Sequence, residues 1–178
     1  LHPVVAALKE MNGPPDMLSP ANHYQISALL TAIAAIFLVA LAYKRGISRK
    51  LRTLFLLYYF SLASWSFSVF ITTTTTSHNI ATVFNQLTHL SAIFIPIFFL
   101  HFTIVFVEDR TQSKRYSVLL KIAYGLSIIF SICCLFLPGQ FFRDVVPKLG
   151  FAFFPNPGII YHFWVAAFVL VVGIAHVV

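Results

Sequence analysis

Long apolar stretches alternate along the chain with short polar ones. Five stretches are long enough to cross a membrane: residues 24–43, 53–71, 83–107, 117–137 and 158–178. About twenty residues at 1.5 Å per residue span a hydrocarbon core of about 30 Å, so each stretch is expected to form a spanning helix. The predicted fold is all-α, a polytopic transmembrane bundle of about five helices.

The segments between and around these stretches are polar or rich in proline. Residues 1–23 contain four prolines and are expected to form a separate segment at the outer face, with the bundle occupying 24–178. Residues 138–157 also contain four prolines, which is typical of a loop, here with aromatic side chains as anchors. The last apolar stretch is still running at Val178, so the bundle is expected to continue beyond it.

Composition supports a membrane protein, and the charge pattern predicts its orientation. Hydrophobic residues make up 59% of the chain and charged residues 10%, against roughly 45–50% and 25% in soluble domains. Nine of the twelve Lys and Arg residues lie in or beside the two connections that follow the first and third stretches. This clustering is typical of cytoplasmic loops that face anionic lipid headgroups, not of a nucleic-acid site. The N-terminus is therefore predicted to lie outside.

Few residues inside the spanning stretches have side chains that could line a ligand pocket or bend a helix. Trp65 lies in the middle of the second stretch, where it either lines a ligand pocket inside the bundle or packs beside small serine residues. Trp164, on the fifth stretch, belongs to the same candidate pocket. Pro96 lies near the middle of the third stretch, where the hydrogen bond that it removes predicts a kink.

Four histidines lie on the third and fifth stretches: His89, His101, His162 and His176. Hydrogen bonding between helices or at the interface is one interpretation, and ligation of haem b is the alternative. His162 and His176 share a helix face, whereas His89 and His101 are about 120° out of phase, so the third stretch lacks matching ligands. No cofactor or metal is predicted apart from this haem alternative.

The sequence lacks the motifs of several enzyme classes. It contains no glycine-rich phosphate loop, no G-x-S-x-G and no H-E-x-x-H. Acidic residues are absent from the middle of every spanning stretch, which argues against an ion-coupled transporter. No histidine is followed by Glu or Asp, so a phosphoacceptor site is not assigned. This chain is therefore predicted not to be an enzyme by itself.

The third stretch and its exit resemble a known family, the seven-transmembrane N-terminal sensor region of bacterial histidine kinases. Pro96 is followed by Phe-Leu-His-Phe at residues 99–102 and by a charged turn that starts at Glu108. Trp65 and the approach to His162 are similar to the family in position. The resemblance covers 24–178, about five of the seven helices. It implies a multi-pass sensory module in a bacterial cytoplasmic membrane, passing a signal from the outer face or the membrane to a cytoplasmic output domain.

Under this hypothesis the candidate signal or ligand pocket consists of Trp65, His89, Pro96, His101, His162 and Trp164. Two alternatives stay open: a non-catalytic structural subunit of a larger membrane complex, and a haem-b electron-transfer subunit. The expected partners are the lipid bilayer and helices of the same or a partner membrane protein, including a second copy in a homodimer. Nucleic acid is not among them.

Overall fold

A computed structural model describes residues 20–44, 48–111 and 116–177. These ranges form six helices and one hairpin, in the order α1 (Pro20–Lys44), α2 (Arg49–Thr74), α3 (His78–Thr111), α4 (Ser117–Phe136), α5 (Pro138–Phe141), β1 (Phe142–Lys148), β2 (Phe151–Pro157) and α6 (Ile159–Val177). Five of the described helices, all except α5, are long and apolar enough to cross a membrane. The predicted helical membrane bundle is confirmed. The predicted outer segment at 1–23 lies almost entirely outside the described residues.

The first three spanning helices are longer than their apolar stretches predict. The α2 helix includes Arg49 and Lys50 in its first turn, and α3 begins at His78, five residues before the predicted start. Polar residues can continue a helix beyond the hydrocarbon core because the helix satisfies its own backbone groups there as well. In these three helices hydropathy therefore identified the apolar part and not the ends, whereas the ends of α4 and α6 lie within one residue of the predicted ones.

The 138–157 segment is not the loop that its composition predicts. Its residues form the short α5 helix and an antiparallel β1–β2 hairpin, in which Lys148 pairs with Phe151. Leu149 and Gly150 close the hairpin with positive φ angles of 57° and 82°, the backbone of a type I′ turn. Because a two-stranded ribbon has two free edges and the pairing shifts at Pro147, prolines do not prevent it.

A close approach of the backbone fixes the base of the hairpin. The Gly158 N–H donates to the Phe141 carbonyl at 3.0 Å. A Cβ on Gly158 would collide with the carbonyl of Gln140. Glycine is therefore required where the chain turns from the hairpin into α6.

Several side-chain contacts join the hairpin to the helices, among them one with α1 and one with α3. The Tyr24 ring of α1 meets the Phe151 ring of β2 edge-on, with centroids 5.4 Å apart. His78 Nε2 lies 3.1 Å from Asp144 Oδ1, but both side chains are more than half exposed, so this pair contributes little to stability. The hairpin is thus tied to both α1 and α3.

The α3 helix is the centre of the bundle, since it packs against α2, α4, α6 and both strands, whereas α1 packs mainly against α2. At one end of the bundle, hereafter the basic end, α1 and α3 finish and α2 and α4 begin, and the described Lys44, Arg49, Lys50, Arg52 and Lys121 lie near these helix ends. The hairpin covers the other, hereafter the hairpin end. By the positive-inside rule the basic end would face the cytoplasm, and this orientation stays a prediction.

Candidate functional site

A cavity of about 340 Å³ lies at the hairpin end of the bundle. Helices α1, α2, α3 and α6 form its walls, and the hairpin contributes Lys148, Phe154, Pro155 and Pro157. Its volume is within the range of small-molecule sites, roughly 300–1,000 Å³. We call it the hairpin-end cavity.

The α3 helix turns a stripe of polar side chains toward this cavity. Asn85, Thr88 and His89 line it at positions i, i+3 and i+4, which share one helix face. Thr72 and Thr73 of α2 line it as well. The hydroxyls of Thr88 and Thr73 are satisfied locally, because they donate to carbonyls of their own helices at 2.8 and 2.9 Å.

Two buried polar atoms beside the cavity are unsatisfied. Asn85 Nδ2 and Thr72 Oγ1 have no hydrogen-bond partner among the described residues. The two side chains are only 1% and 3% exposed. Leaving a buried polar group unpaired costs about 1–3 kcal/mol. Both residues line the cavity, so a ligand whose entry turns these side chains toward it would satisfy the two atoms.

His89 is held in one orientation. Its Nδ1 donates to the Asn85 carbonyl at 2.7 Å, which leaves Nε2 as the acceptor in a neutral imidazole. Three aromatic rings surround it at centroid distances of 5.6, 5.5 and 5.5 Å: Phe141, Phe142 and Tyr161. With 6% of its surface exposed, the ring is a fixed part of the cavity wall.

Aromatic side chains form the apolar part of the wall. Tyr24, Trp65, Tyr161 and Trp164 come from α1, α2 and α6, and the rings of Tyr161 and Trp164 are 5.3 Å apart. Both tryptophans of the sequence therefore line one cavity. The structure brings together three of the predicted pocket residues, Trp65, His89 and Trp164.

The other three predicted pocket residues do not line the cavity. Pro96 lies below it, inside a continuous α3, beside a small cleft of about 20 Å³ that Trp164 also borders. His101 Nδ1 lies 2.8 Å from the Tyr124 hydroxyl in the basic half of the bundle, and His162 is exposed on α6. The predicted kink at Pro96 stays a prediction.

The candidate haem ligands do not converge on one space. His89 faces the cavity, whereas His162 is exposed elsewhere. His176 Nδ1 donates to the Val172 carbonyl of its own helix at 2.8 Å. A bis-histidine haem needs two imidazoles that face each other across the macrocycle, and among the four candidates only His89 lines the hairpin-end cavity. Within 20–44, 48–111 and 116–177, no group of three or more His, Cys, Asp or Glu could hold a metal ion.

Sequence reasoning missed several residues of the cavity. The i, i+3, i+4 stripe of Asn85, Thr88 and His89 was a detectable signal, because polar residues on one face of an apolar helix point to the bundle interior. Lys148 had no such signal, since it reaches the cavity only through the folding back of the hairpin.

Comparison with known families covers most of the chain. Residues 27–178 match the family described as the N-terminal 7TM region of histidine kinase. No curated protein and no solved structure gave a match. The matched range contains nearly all of the bundle and every described cavity residue except Tyr24. The resemblance inferred from the third helix is confirmed: the chain belongs to the family of N-terminal seven-transmembrane regions of histidine kinases, and is a multi-pass, non-catalytic membrane sensor region.

Proposed function

We propose that the bundle binds a chemical signal in the hairpin-end cavity and passes it along α3 to an output domain at the cytoplasmic face of a bacterial inner membrane. One observation carries this proposal: two residues that line the cavity, Asn85 and Thr72, each have a buried polar atom without a partner among the described residues. A ligand that pairs with them stabilises the helix packing that presents them, and a sensor needs such differential binding.

The α3 helix links the cavity to the basic end. It has 34 residues and is therefore roughly 50 Å long. Its first half lines the cavity, and its second half buries Ile97, Leu100 and Ile104 against neighbouring helices. Close-packed side chains do not deform continuously, so a shift of α3 at the cavity is transmitted as a change of packing at the far end.

Pro96 is the proposed hinge. Proline cannot donate to the carbonyl of Ala92, four residues earlier, and Ala92 lines the cavity. The backbone hydrogen bond that α3 lacks is therefore located beside the cavity. Trp164 borders both the cavity and the cleft beside Pro96, so a ligand that moves this ring also changes the packing at the hinge.

A cavity-filling variant tests the sensory role. Thr88 lines the cavity and is 9% exposed, so Thr88→Phe reduces the cavity volume and leaves Asn85 in place. Leu87→Phe is the matched control, since Leu87 is next to it on α3 and 39% exposed. We expect Thr88→Phe to change autophosphorylation of the full-length protein at least about fivefold, the lower range of coupling between sites. Wild-type output from Thr88→Phe, at equal membrane levels, would favour a structural subunit instead.

A separate variant tests the hinge. Pro96→Ala restores the hydrogen bond to Ala92 and is expected to hold autophosphorylation of the full-length protein at one level whether or not the cavity is filled by the Thr88→Phe change. Ile95→Ala, beside it and half-buried, is the control. If Thr88→Phe shifts output equally in the Pro96→Ala and wild-type backgrounds, Pro96 has only a structural role.

A further inference from the structure

The two unpaired polar atoms of the cavity lie toward the hairpin end of the bundle, whereas Thr88 and His89 lie nearer its floor. The Ser64 and Ser91 hydroxyls are 2.8 Å apart and mark where antiparallel α2 and α3 meet. Thr72 lies eight residues after Ser64, and Asn85 lies six residues before Ser91. These separations correspond to about 12 Å and about 9 Å toward the hairpin end. Both unpaired atoms are thus near the hairpin, which adds Lys148.

The floor of the cavity, by contrast, is apolar. Trp65 and Ala92 directly follow Ser64 and Ser91 in sequence, so they lie at the level of the contact between these serines. Trp164 of α6 lines the same part of the cavity. A volume of about 340 Å³ holds about eleven waters at about 30 Å³ each. A ligand that fills it has on the order of ten non-hydrogen atoms, with a flat or chain-like apolar body facing the tryptophans.

The polar level is rich in donors. Asn85 Nδ2 can only donate, Thr72 Oγ1 can donate, and the Lys148 ammonium adds positive charge. No described residue that lines the cavity is acidic. A ligand cation would therefore find no counter-charge, whereas an anionic acceptor at this level has three donor groups beside it. The acceptor Nε2 of His89 belongs to the lower part of the wall, since His89 is four residues, about 6 Å, closer to the floor than Asn85.

We infer that the hairpin-end cavity binds a small, mainly apolar carboxylate, an inference that rests on the proposed sensory role of this cavity. The carboxylate lies at the level of Thr72, Asn85 and Lys148, and the apolar body extends down to Trp65 and Trp164. Asn85 is the main determinant of affinity, because it is 1% exposed and its bond to an anion is shielded from water. Lys148 is exposed and contributes less.

Three probes of nearly equal size test the charge preference: phenylacetate, neutral phenylacetamide and cationic 2-phenylethylamine. Each is titrated into the full-length protein in nanodiscs while tryptophan fluorescence is recorded. The signal of a Trp65→Phe/Trp164→Phe variant is subtracted, so that only the cavity tryptophans report. Ligands of this size are expected to bind with a Kd on the order of 1 mM. Phenylacetate should bind at least about tenfold tighter than 2-phenylethylamine, with phenylacetamide between them.

Four variants test the assignment of the polar groups. Asn85→Leu should weaken phenylacetate at least about tenfold, the loss expected for a hydrogen bond to a charged group. Lys148→Gln should weaken it about two- to fivefold. Asn79→Leu, on an exposed part of α3, and Lys121→Gln, at the basic end, should leave binding unchanged.

The outcomes separate the ligand class from the sensory role. Equal or tighter binding of 2-phenylethylamine, wild-type affinity in Asn85→Leu, or no saturable signal up to about 20 mM phenylacetate overturns the carboxylate assignment. The sensory role still stands in that case if Thr88→Phe changes autophosphorylation. Conversely, selective phenylacetate binding with unaltered output from Thr88→Phe supports the ligand class and refutes the sensory role.

Discussion

The two halves of α3, on either side of Pro96, differ in what they bury. The half toward the hairpin buries four polar side chains, Asn85, Thr88, His89 and Ser91, together with Ala81, Ala92 and Ile93. The half toward the basic end buries apolar ones, among which Leu100 and Ile104 are 0% exposed. The polar half borders the cavity and contains an unpaired atom, whereas Ile97, Leu100 and Ile104 of the apolar half belong to a buried apolar cluster with residues of α4 and α6.

This difference shows two ways of holding a membrane bundle together. Lipid is as apolar as leucine, so helices associate through packing and interhelical hydrogen bonds. The apolar half depends mainly on packing, beside the 2.8 Å contact of His101 Nδ1 with the Tyr124 hydroxyl of α4. The polar half adds a hydrogen bond from Gln86 Nε2 to the Cys134 carbonyl of α4 at 3.1 Å. Close-packed apolar side chains move together, so they can transmit a shift of α3 toward the basic end. A polar wall with an unpaired donor can instead bind a ligand.

The largest expected effect concerns which end faces the cytoplasm. In a background without Cys133 and Cys134, an impermeant thiol reagent should label Lys148→Cys in intact cells and Arg49→Cys only after lysis. The reason is the positive-inside rule applied to the basic end. Strong labelling of Arg49→Cys in intact cells would show that the basic end faces outward and that the cavity lies on the cytoplasmic side.

A substitution that displaces the hairpin, which covers the polar half of α3, should be the most destabilising single change. Gly158→Ala forces a Cβ into the Gln140 carbonyl, and we expect a loss of about 3 kcal/mol or more in the free energy of unfolding. Thermal unfolding in detergent measures it. Gly139→Ala is the control, because a Cβ there meets nothing within 4 Å. Equal melting temperatures for the two variants would show that the hairpin base tolerates the shift.

Truncation in the apolar half should destabilise the bundle. Leu100→Ala leaves a void in a filled core and is expected to cost about 2–4 kcal/mol. Leu87→Ala removes the same atoms from a side chain that is 39% exposed, so its effect should be near zero. If the two variants unfold alike, packing in this half is looser than its burial indicates.

A substitution in the polar half of α3 should instead increase the free energy of unfolding. Asn85→Leu replaces an unpaired buried amide with an apolar side chain of similar size, so the unliganded bundle should gain about 1 kcal/mol. The same thermal unfolding assay measures the gain, with Asn79→Leu on the exposed start of α3 as the control. A loss of stability in Asn85→Leu would mean that the amide is satisfied in the membrane and is not held for a ligand.

Part of the candidate site could be predicted from the sequence. Trp65, His89 and Trp164 were predicted as pocket residues, because bulky or polar side chains inside a spanning helix need an interior position. His101 and His162 met the same criterion but lie elsewhere, since the direction of a side chain depends on how its helix is rotated against its neighbours. The position of a residue in the sequence does not specify how its helix is rotated.

The sequence by itself determined the spanning helices and the asymmetry of basic charge. Both depend on local composition: a segment enters lipid according to its own residues, whatever packs beside it. Only the tertiary structure decided the hairpin and the cavity. Leu149 and Gly150 must both adopt positive φ to close the hairpin, and Lys148 reaches the cavity only because Gly158 lets the chain fold back over the bundle. Such contacts join residues far apart in sequence, and their free energy depends on every element that meets there.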